Sequence, residues 1–323
     1  NTVHPFYFTL DDISGSVDSA APDPDDNNHM LWVSGSRRAG NSVTYRTSGS
    51  AGDKTNANAD GVKYLCNTLG INKFLMPMYG GSDGLDITER EPFRNKLLAG
   101  SPTAKNSYVY NTIDEAIDIL TNTEDYEFNL VAMPGLTHEG LNERLIDVVE
   151  ERGDALAVID LPGVYTPSTE NNETDATARY GDVRSTTLAL MDRKINSSYG
   201  CTYYPWVQIQ DTSAGVNLFV PPSVAALGVM GSSEAVSEPW FAPAGFNRGG
   251  LSDGAAGLPV IGVTEKLTSK QRDQLYEANI NPIASFPAEG IVVFGQKTLQ
   301  IQQSALDRIN VRRLLIFIKK AVS

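Results

Sequence analysis

Hydrophobic residues in the middle of the chain alternate between a helical and a strand-like pattern. Between residues 111 and 122 apolar residues recur at helical spacing, and Thr112 and Glu115 stand at the spacing of a capping box. The runs at 127–135 and 155–163 are almost continuously apolar and end in Pro-Gly, which is typical of buried strands that stop in turns. The pattern therefore predicts a helix followed by two buried strands.

The segment between these two strands, residues 137–154, predicts a second helix. Leu141, Leu145 and Val149 lie along one side of it, and Gly153 stands just past its end as a C-cap. Short links between strand, helix and strand imply parallel strands and a right-handed crossover. The sequence thus predicts a β-α-β unit.

Further helices and strands follow this unit. Leu188, Met191 and Ile195 fall on one face of a helix predicted over 182–196. The remaining predicted elements are a strand over 202–211, with Pro205 at a sheet edge or strand start, a helix entered through Pro221 and Pro222, a strand near 258–263, a helix over 269–278, two strands around Pro287 and Gly290, and an amphipathic C-terminal helix.

The first 110 residues have a different character. Residues 11–60 are rich in Ser, Gly, Asp, Asn and Pro, with strand-like runs at 31–35 and, further on, at 72–81. The predicted fold class is therefore mixed α/β. It has a β-α-β core with a partly parallel sheet flanked by helices, a loop-rich N-terminal region and a smaller α+β C-terminal part. The predicted domains are 1–110, 111–263 and 264–323.

Charge is unevenly distributed over the 323 residues. The formal net charge is −13, yet residues 265–323 hold nine basic and five acidic residues, a net +4 that leaves −17 for the rest. An acidic body argues against binding to nucleic acid or to anionic membranes. The basic end suits self-complementary assembly between copies, or it is an ordinary solvated helix face. No apolar run reaches the roughly 18–20 residues that a membrane span needs, so no membrane insertion is expected.

Signals for metal or cofactor chemistry are weak. Cys66 and Cys201 are far apart and the three histidines form no metal-binding spacing, so no metal site is predicted. The turns after the two best strands lack the glycine density of a phosphate-binding loop, so no nucleotide cofactor is predicted either. The two cysteines are expected to be small buried residues of a reduced protein.

One pattern allows a catalytic alternative. Residues 80–84 read Gly-Gly-Ser-Asp-Gly and match the nucleophile elbow of serine hydrolases, with Ser82 as nucleophile. His138 lies downstream, with Asp114 or Asp118 between them, so the order Ser, Asp, His is possible. Pro92, however, interrupts the helix that should follow the elbow. A serine hydrolase using Ser82 and His138 is therefore the alternative interpretation.

Several short segments after residue 127 occur in a characteristic order. They are FNLVAMPG, YYPWVQIQD, FVPPSVAALGVM, EPWFAPAGFNRGGL, LTSKQRDQLYEANINPIASFPAEGIVVFGQKTL and ALDRINVRRLLIFIKKAV. Together they resemble the contractile tail sheath proteins of myovirus-type bacteriophages over about residues 127–323. The first 110 residues match nothing that can be placed. The resemblance also implies that terminal regions present in the family are missing, so an internal fragment is expected.

What the resemblance implies is mechanical rather than catalytic. Sheath subunits stack as six-fold rings around a tail tube and contract to drive the tube through the host envelope, without a nucleotide or another cofactor. The expected partners are other copies, the tail tube protein, and baseplate and tail terminator proteins. The expected location is the phage tail of the virion, after assembly in the bacterial cytoplasm. A sheath of a phage-derived bacteriocin would give the same pattern.

Two groups of residues are candidates for structural or assembly roles. Within the irregular stretch 238–249, the aromatic residues are expected to anchor the loop onto the core, and the arginine to bind a carbonyl or a carboxylate. On the C-terminal helix, basic side chains are expected to meet acidic groups of a neighbouring copy or of the tube. Alternatively the helix packs its apolar side in the core and leaves its charges solvated. The candidates are Trp240, Phe241, Phe246 and Arg248, and then Arg308, Arg312, Arg313, Lys319 and Lys320.

Overall fold

A computed structural model describes residues 108–322 apart from 172, 212, 213, 253, 255, 256 and 258, together with 13–15, 30–32, 49–50, 93 and 95–98. The chain divides into two compact units, Asn1–Asp83 and Gly84–Ser323. In the first unit, β1 (Ile13–Gly15), β2 (Met30–Trp32) and β3 (Gly49–Ser50) form an antiparallel sheet with β2 in the centre. The strand expected at 31–35 overlaps β2, and the one expected at 72–81 lies outside the described residues. The three predicted domains stay a prediction.

The second unit contains the alternating helices and strands. Its described elements are α1 (Asn95–Leu98), α2 (Tyr108–Ile119), β4 (Leu130–Ala132), α3 (Glu139–Arg152), β5 (Leu156–Ile159), a 3-10 turn (Thr177–Arg179), α4 (Val183–Arg193), β6 (Gly200–Tyr204), β7 (Val207–Asp211), β8 (Val216–Val220), α5 (Pro222–Val236), β9 (Val260–Val263), α6 (Ser269–Glu277), β10 (Asn281–Phe286), β11 (Gly290–Val293), a 3-10 turn (Ala305–Asp307) and α7 (Ile309–Val322).

A five-stranded sheet in the order β11-β10-β6-β5-β4 forms the centre of this unit. β4, β5, β6 and β10 run parallel, and β11 returns antiparallel to β10. Side chains of β5 alternate between two cores: Ala157 and Ile159 face the core shared with α2, α3, α4 and α6, whereas Leu156 and Val158 face the core shared with α5 and α7. The predicted mixed α/β fold, with a partly parallel sheet flanked by helices, is confirmed.

The helix of the β-α-β unit, α3, follows its sequence pattern closely. His138 is its N-cap, where its Nδ1 accepts a hydrogen bond from the Leu141 backbone N–H at 3.3 Å. Gly153 ends the helix in the left-handed region, at φ 67°, as the C-cap rule predicts. The predicted inward residues Leu141, Leu145 and Val149 are fully buried.

The preceding helix, α2, starts earlier than predicted. It begins at Tyr108, so Thr112 lies inside the helix and the capping box predicted for Thr112 and Glu115 is wrong. The reason is that Val109 extends the apolar stripe by one turn toward the N-terminus. Val109 and Ile113 are both buried at i, i+4 spacing.

In α4 the apolar stripe selected from the sequence faces outward. Leu188 and Met191 are exposed, and the buried face includes Thr186 and Thr187. These threonines can be buried because their hydroxyls donate to carbonyls of the same helix, those of Asp182 at 2.8 Å and Arg184 at 2.9 Å.

The single strand predicted over 202–211 is wrong. β6 ends at Tyr204, a cis peptide bond joins Tyr204 to Pro205, and β7 starts at Val207 in a different sheet. In that three-stranded antiparallel sheet β7 lies between β8 and β9. β8 was not predicted from the sequence. Pro205 has no backbone N–H to donate to a ladder, which favours a break at this point.

The remaining predicted elements are confirmed. α5 begins with Pro222 in its first turn, and β9 lies within the predicted 258–263. The two strands predicted around Pro287 and Gly290 are β10 and β11, which pair antiparallel. α6 matches the predicted 269–278 to within one residue, and Thr268 and Gln271 form a capping box in front of it.

Candidate assembly surface

Ligands bind at the carboxyl edge of the parallel strands in open α/β sheets, and at this edge of the present sheet Asp160 makes contacts within the protein. Asp160, directly after β5, is buried and accepts hydrogen bonds from the Gly135 N–H at 2.9 Å and from the Ser223 hydroxyl and N–H at 2.7 and 3.2 Å. Burial raises the pKa of Asp160 to about 6, although hydrogen bonds from Ser223 and Gly135 act in the opposite direction. The side chain of Asn142 donates to the Asp160 carbonyl at 3.0 Å. This edge therefore joins β5, α3 and α5.

The residues of the hydrolase alternative do not form a described site. Ser82 lies outside the described residues, and His138 has a structural role as the N-cap of α3. Burial lowers the pKa of His138. Asp114 and Asp118 are partly exposed and both pair with Arg144, the first at 3.5 Å. The described contacts thus give these groups structural roles.

Other chemistry receives equally little support. Cys66 is not among the described residues, and burial raises the pKa of the Cys201 thiol to about 12. Within the part of the chain that the structure describes, no group of His, Cys, Asp or Glu could hold a metal ion. None of the described helices is long and apolar enough to cross a membrane.

The irregular stretch 238–249 is attached to the domain mainly through its backbone. The Gly245 N–H donates to the Val293 carbonyl at 2.8 Å, and the Val293 N–H donates to the Gly249 carbonyl at 2.8 Å. A Cβ atom on Gly249 would meet the Val293 carbonyl oxygen at 2.5 Å, so only glycine fits this close approach. Trp240 is half-buried with its ring 5.2 Å from that of Phe317 on α7. The stretch therefore bridges β11 and α7.

Two of its aromatic residues lie on the surface, so their predicted anchoring onto the core is wrong. Phe246 is 49% exposed and packs against Phe286 and Phe294, with ring centroids 5.1 and 5.7 Å apart. Phe241 is 39% exposed, and the guanidinium of Arg248 lies over its ring at 4.6 Å. Since the described contact of Arg248 is cation–π, the expected bond to a carbonyl or carboxylate is not seen among the described contacts.

Two arginines of the C-terminal helix α7 point into the domain. Arg312 lies over the ring of Tyr199 at 3.9 Å and donates to the Ser198 hydroxyl. Arg313 pairs with Glu234 on α5, with Nη2 and Oε2 2.6 Å apart. Burial lowers the pKa of both guanidinium groups. The aromatic ring, the hydroxyl and the carboxylate are what allow these two charged side chains to be buried.

The other three basic candidates also contact their own chain. Arg308 donates to the Tyr276 hydroxyl and pairs with Asp307 at 3.3 Å. The ammonium groups of Lys319 and Lys320 donate to the backbone carbonyls of Arg152 at 3.0 Å and Phe128 at 2.9 Å. A role of these five residues in meeting a partner's acidic groups stays a prediction. Apart from Asp307, the partners of these side chains come from distant segments, so no sequence pattern pointed to them.

The opposite side of α7 is apolar and exposed. Leu315, Phe317, Ile318 and Val322 are all exposed, whereas Ile309 and Ile316 contact the core. The alternative expectation, an apolar side in the core and solvated charges, is therefore wrong for most of this helix. The exposed aromatic residues of the stretch 238–249 and the exposed side of α7 together define the candidate assembly surface.

The domain that carries this surface has a recognisable family. A family model described as the central domain of phage tail sheath proteins matches residues 111–299, more than half of the chain. The chain belongs to the phage tail sheath family. The matched residues include β4 to β11 and α3 to α6, and thus the whole five-stranded sheet. The resemblance seen in the sequence is confirmed.

Two tail sheath proteins illustrate the relationship. The chain is 32% identical over 258 residues to the tail sheath protein of Vibrio phage KVP40, an alignment that covers 76% of this chain and 34% of that protein. It is 28% identical over 261 residues to the tail sheath protein of Enterobacteria phage T4, with 74% and 37% covered. The chain thus spans about a third of the length of these curated relatives.

Two solved structures are also matched over about two thirds of this chain. A chain of the anti-feeding prophage baseplate is 21% identical, with a TM-score of 0.45 over 65% of this chain and 48% of that one. A chain of the contracted PVC sheath complex, from an extracellular contractile injection system, is 20% identical, with a TM-score of 0.44 over 64% and 50%.

Proposed function

We propose that this protein is a structural subunit of a contractile phage tail sheath. The observation that carries the proposal is the family-model match over 111–299, a range that contains the whole five-stranded sheet. In this role copies of the protein stack as six-fold rings around a tail tube in the virion and contract to drive the tube through the host envelope. Its partners are other copies, the tube, the baseplate and the tail terminator.

Several features of the described domain suit a mechanical role rather than a catalytic one. At the carboxyl edge of the sheet, where ligands bind in open α/β folds, the buried carboxyl group of Asp160 is bonded to its own chain. Charged side chains of α7 are used inside the subunit, which ties the last helix to α3 and α5. A subunit that transmits force needs such internal ties, because contraction then changes contacts between subunits rather than within them.

Electron microscopy of the purified complete gene product tests the proposal. We expect tubular sheath-like polymers with six-fold symmetry in end-on views. A product that stays monodisperse at high protein concentration, in buffers of low and high ionic strength, would overturn the proposal. The 323-residue chain is the matched comparison: we expect it to be mostly monomeric, as sedimentation velocity over a range of concentrations can show.

A further inference from the structure

Three phenylalanine rings form a cluster at one edge of the five-stranded sheet. Phe246, Phe286 and Phe294 pack against one another with ring centroids 5.1 to 5.7 Å apart. Phe286 ends β10 and Phe294, which is 41% exposed, directly follows β11. The guanidinium of Arg272 on α6 lies over two of the rings, 5.2 Å from that of Phe286 and 5.9 Å from that of Phe294. Exposed aromatic rings beside an arginine are the composition of an interaction surface. These four residues are called the phenylalanine cluster below.

The opposite edge of the sheet carries an acidic turn, residues 122–127. Its sequence is Asn-Thr-Glu-Asp-Tyr-Glu, all six residues are exposed, and it leads into β4, the other edge strand. Tyr126 is 48% exposed and stands among the carboxylates of Glu124, Asp125 and Glu127, without a basic residue in the turn. An exposed ring surrounded by carboxylates is complementary, in charge and in apolar area, to a ring cluster that carries a guanidinium.

The acidic turn is held in place by a buried arginine. The side chain of Arg152 is only 2% exposed and donates to the carbonyls of Leu120 at 2.5 Å, Asn122 at 3.1 Å and Tyr126 at 2.8 Å. These bonds fix the backbone on both sides of the turn. A turn that is already fixed loses little conformational freedom when it binds, so it is suited to presenting Tyr126 to a partner.

The positions of the two patches indicate contact between different copies. They lie at opposite edges of one sheet, and five strands at a spacing of ~4.8 Å place these edges about 19 Å apart. A contact between one patch of a copy and the other patch of the next copy is heterologous, and its repetition builds rings or helical arrays. Copies with a formal net charge of −13 repel one another, so a contact between them needs local charges of opposite sign.

We propose that the acidic turn of one copy docks onto the phenylalanine cluster of the next copy. Tyr126 packs against the rings, and Glu124 and Glu127 face Arg272. The inference rests on the proposed function, which requires contacts between copies. One tyrosine and a few charges offer far less than the ~800 Å² per partner of a stable interface. A single contact is therefore weak, in agreement with a mostly monomeric 323-residue chain, and becomes effective when many form together in a ring.

Cross-linking between two variants of the 323-residue chain tests the contact. Thr123→Cys marks the acidic turn of one variant, and Ala288→Cys marks the exposed turn after Phe286 in the other. Both carry Cys66→Ser, and the remaining native cysteine, Cys201, is buried. One variant is labelled with ¹⁵N, and a short bis-maleimide is added at high protein concentration. We expect mass spectrometry to show mixed pairs forming several times faster than pairs of either variant with itself.

Further substitutions test the residues that carry the contact, in variants shown to be folded by circular dichroism. Tyr126→Ala in the first variant should slow mixed cross-linking about tenfold, as expected for an aromatic anchor. Arg272→Glu in the second variant should slow it similarly. Glu124→Lys with Glu127→Lys in the first variant should then restore the rate against Arg272→Glu. Lys270→Glu is the matched control, because it makes the same charge change at an exposed position of α6, and it should have little effect.

Mixed pairs that form no faster than pairs of one variant with itself would overturn the proposal. So would an unchanged rate with Tyr126→Ala, or a charge reversal that fails to restore the rate against Arg272→Glu. The cross-linking does not require polymers, so its result can be separated from that of the proposed function. Polymers of the complete gene product without the mixed link would overturn this contact alone, whereas the mixed link without polymers would support the contact and count against the sheath function.

Discussion

Helices α3 and α7 both have fourteen residues, yet they face the domain with opposite kinds of side chain. α3 buries Leu141, Leu145 and Val149. α7 buries Arg312 and Arg313 and exposes several of its aliphatic residues. Both sequences contain an apolar stripe at helical spacing. The stripe shows that a helix forms, but the side that faces the domain depends on the partners that surround it.

Those partners differ in a simple way. α3 crosses the sheet between two strands of its own β-α-β unit, so its apolar side meets other apolar residues. α7 lies beside the polar side chains of Ser198, Tyr199 and Glu234, and its lysines reach two backbone carbonyls. Each buried charge has an acceptor or an aromatic ring close by. Basic residues can therefore hold a helix against a domain when the facing surface of the domain provides hydrogen-bond acceptors or aromatic rings for them.

The largest expected effect is a difference in unfolding free energy between matched leucine variants of the two helices. Leu145 and Leu315 are each the seventh residue of their helix, but Leu145 is fully buried and Leu315 is 40% exposed. We expect Leu145→Ala to lower the free energy of unfolding by about 2–5 kcal/mol, because it leaves a cavity. Leu315→Ala should cost less than about 1 kcal/mol. Urea denaturation of the 323-residue chain measures both, and equal losses would contradict the assignment of α7's outer side.

A second prediction concerns pH and the buried carboxyl group of Asp160 at the end of β5. Because the folded-state pKa of Asp160 is raised to about 6 from 3.8, the folded state binds this proton more tightly than the unfolded state. The resulting stability is fully present below pH 3.8 and is lost as pH rises through 6. At about 1.36 kcal/mol for each pKa unit, the loss is about 3 kcal/mol.

Asp160→Asn removes this titration and serves as the probe. The unfolding free energy of wild type minus that of Asp160→Asn should fall by about 2–2.5 kcal/mol between pH 4 and pH 7, since part of the total loss lies below pH 4. The matched variant Leu145→Ala changes no titratable group, so its difference from wild type should stay nearly constant. Urea denaturation at several pH values checks both, and a constant difference for Asp160→Asn would show that its carboxyl group is not shifted.

The smallest expected effect concerns the basic side of α7. Arg313 is almost completely buried in its pair with Glu234, whereas Lys320 is more exposed in its pair with Glu127 at 3.7 Å. We expect Arg313→Leu to lower the free energy of unfolding by about 1–3 kcal/mol, and Lys320→Leu by less than about 1 kcal/mol. The loss for Arg313 should persist in 1 M salt, since buried pairs are screened little. Similar losses for both variants would mean that the basic side is solvated.

Sequence patterns that span only a few residues were sufficient to predict most of the helices and strands. The two Pro-Gly turns, Gly153 and the apolar spacing of α3 lie close together in sequence, and together they predicted the β-α-β unit. Thr186 and Thr187 could not be recognised as buried, because their hydroxyls are satisfied by carbonyls of the same helix. Pro205 was predicted to lie at a sheet edge or strand start. That the chain passes there from one sheet to another depends on β5 and β9, which are more than forty residues away.

The assembly surface was predictable only in part. Aromatic residues in a Pro- and Gly-rich stretch correctly drew attention to 238–249, but the sequence could not tell that the backbone, rather than Phe241 and Phe246, makes the attachment. For α7 the composition of the helix was clear and its orientation was not. Orientation depends on Glu234 and Tyr199, which are about 80 and 110 residues away in sequence.

The passage from β6 to β7 places two neighbouring strands in different sheets with only Pro205 and Trp206 between them. Three residue steps from Tyr204 to Val207 can extend to no more than about 11 Å, so this connection has no slack. Tyr204, Trp206 and Val207 are all buried, which fixes both ends of the connection. A force on the small sheet is therefore transmitted to the large sheet along covalent bonds, through a connection that has no room to lengthen.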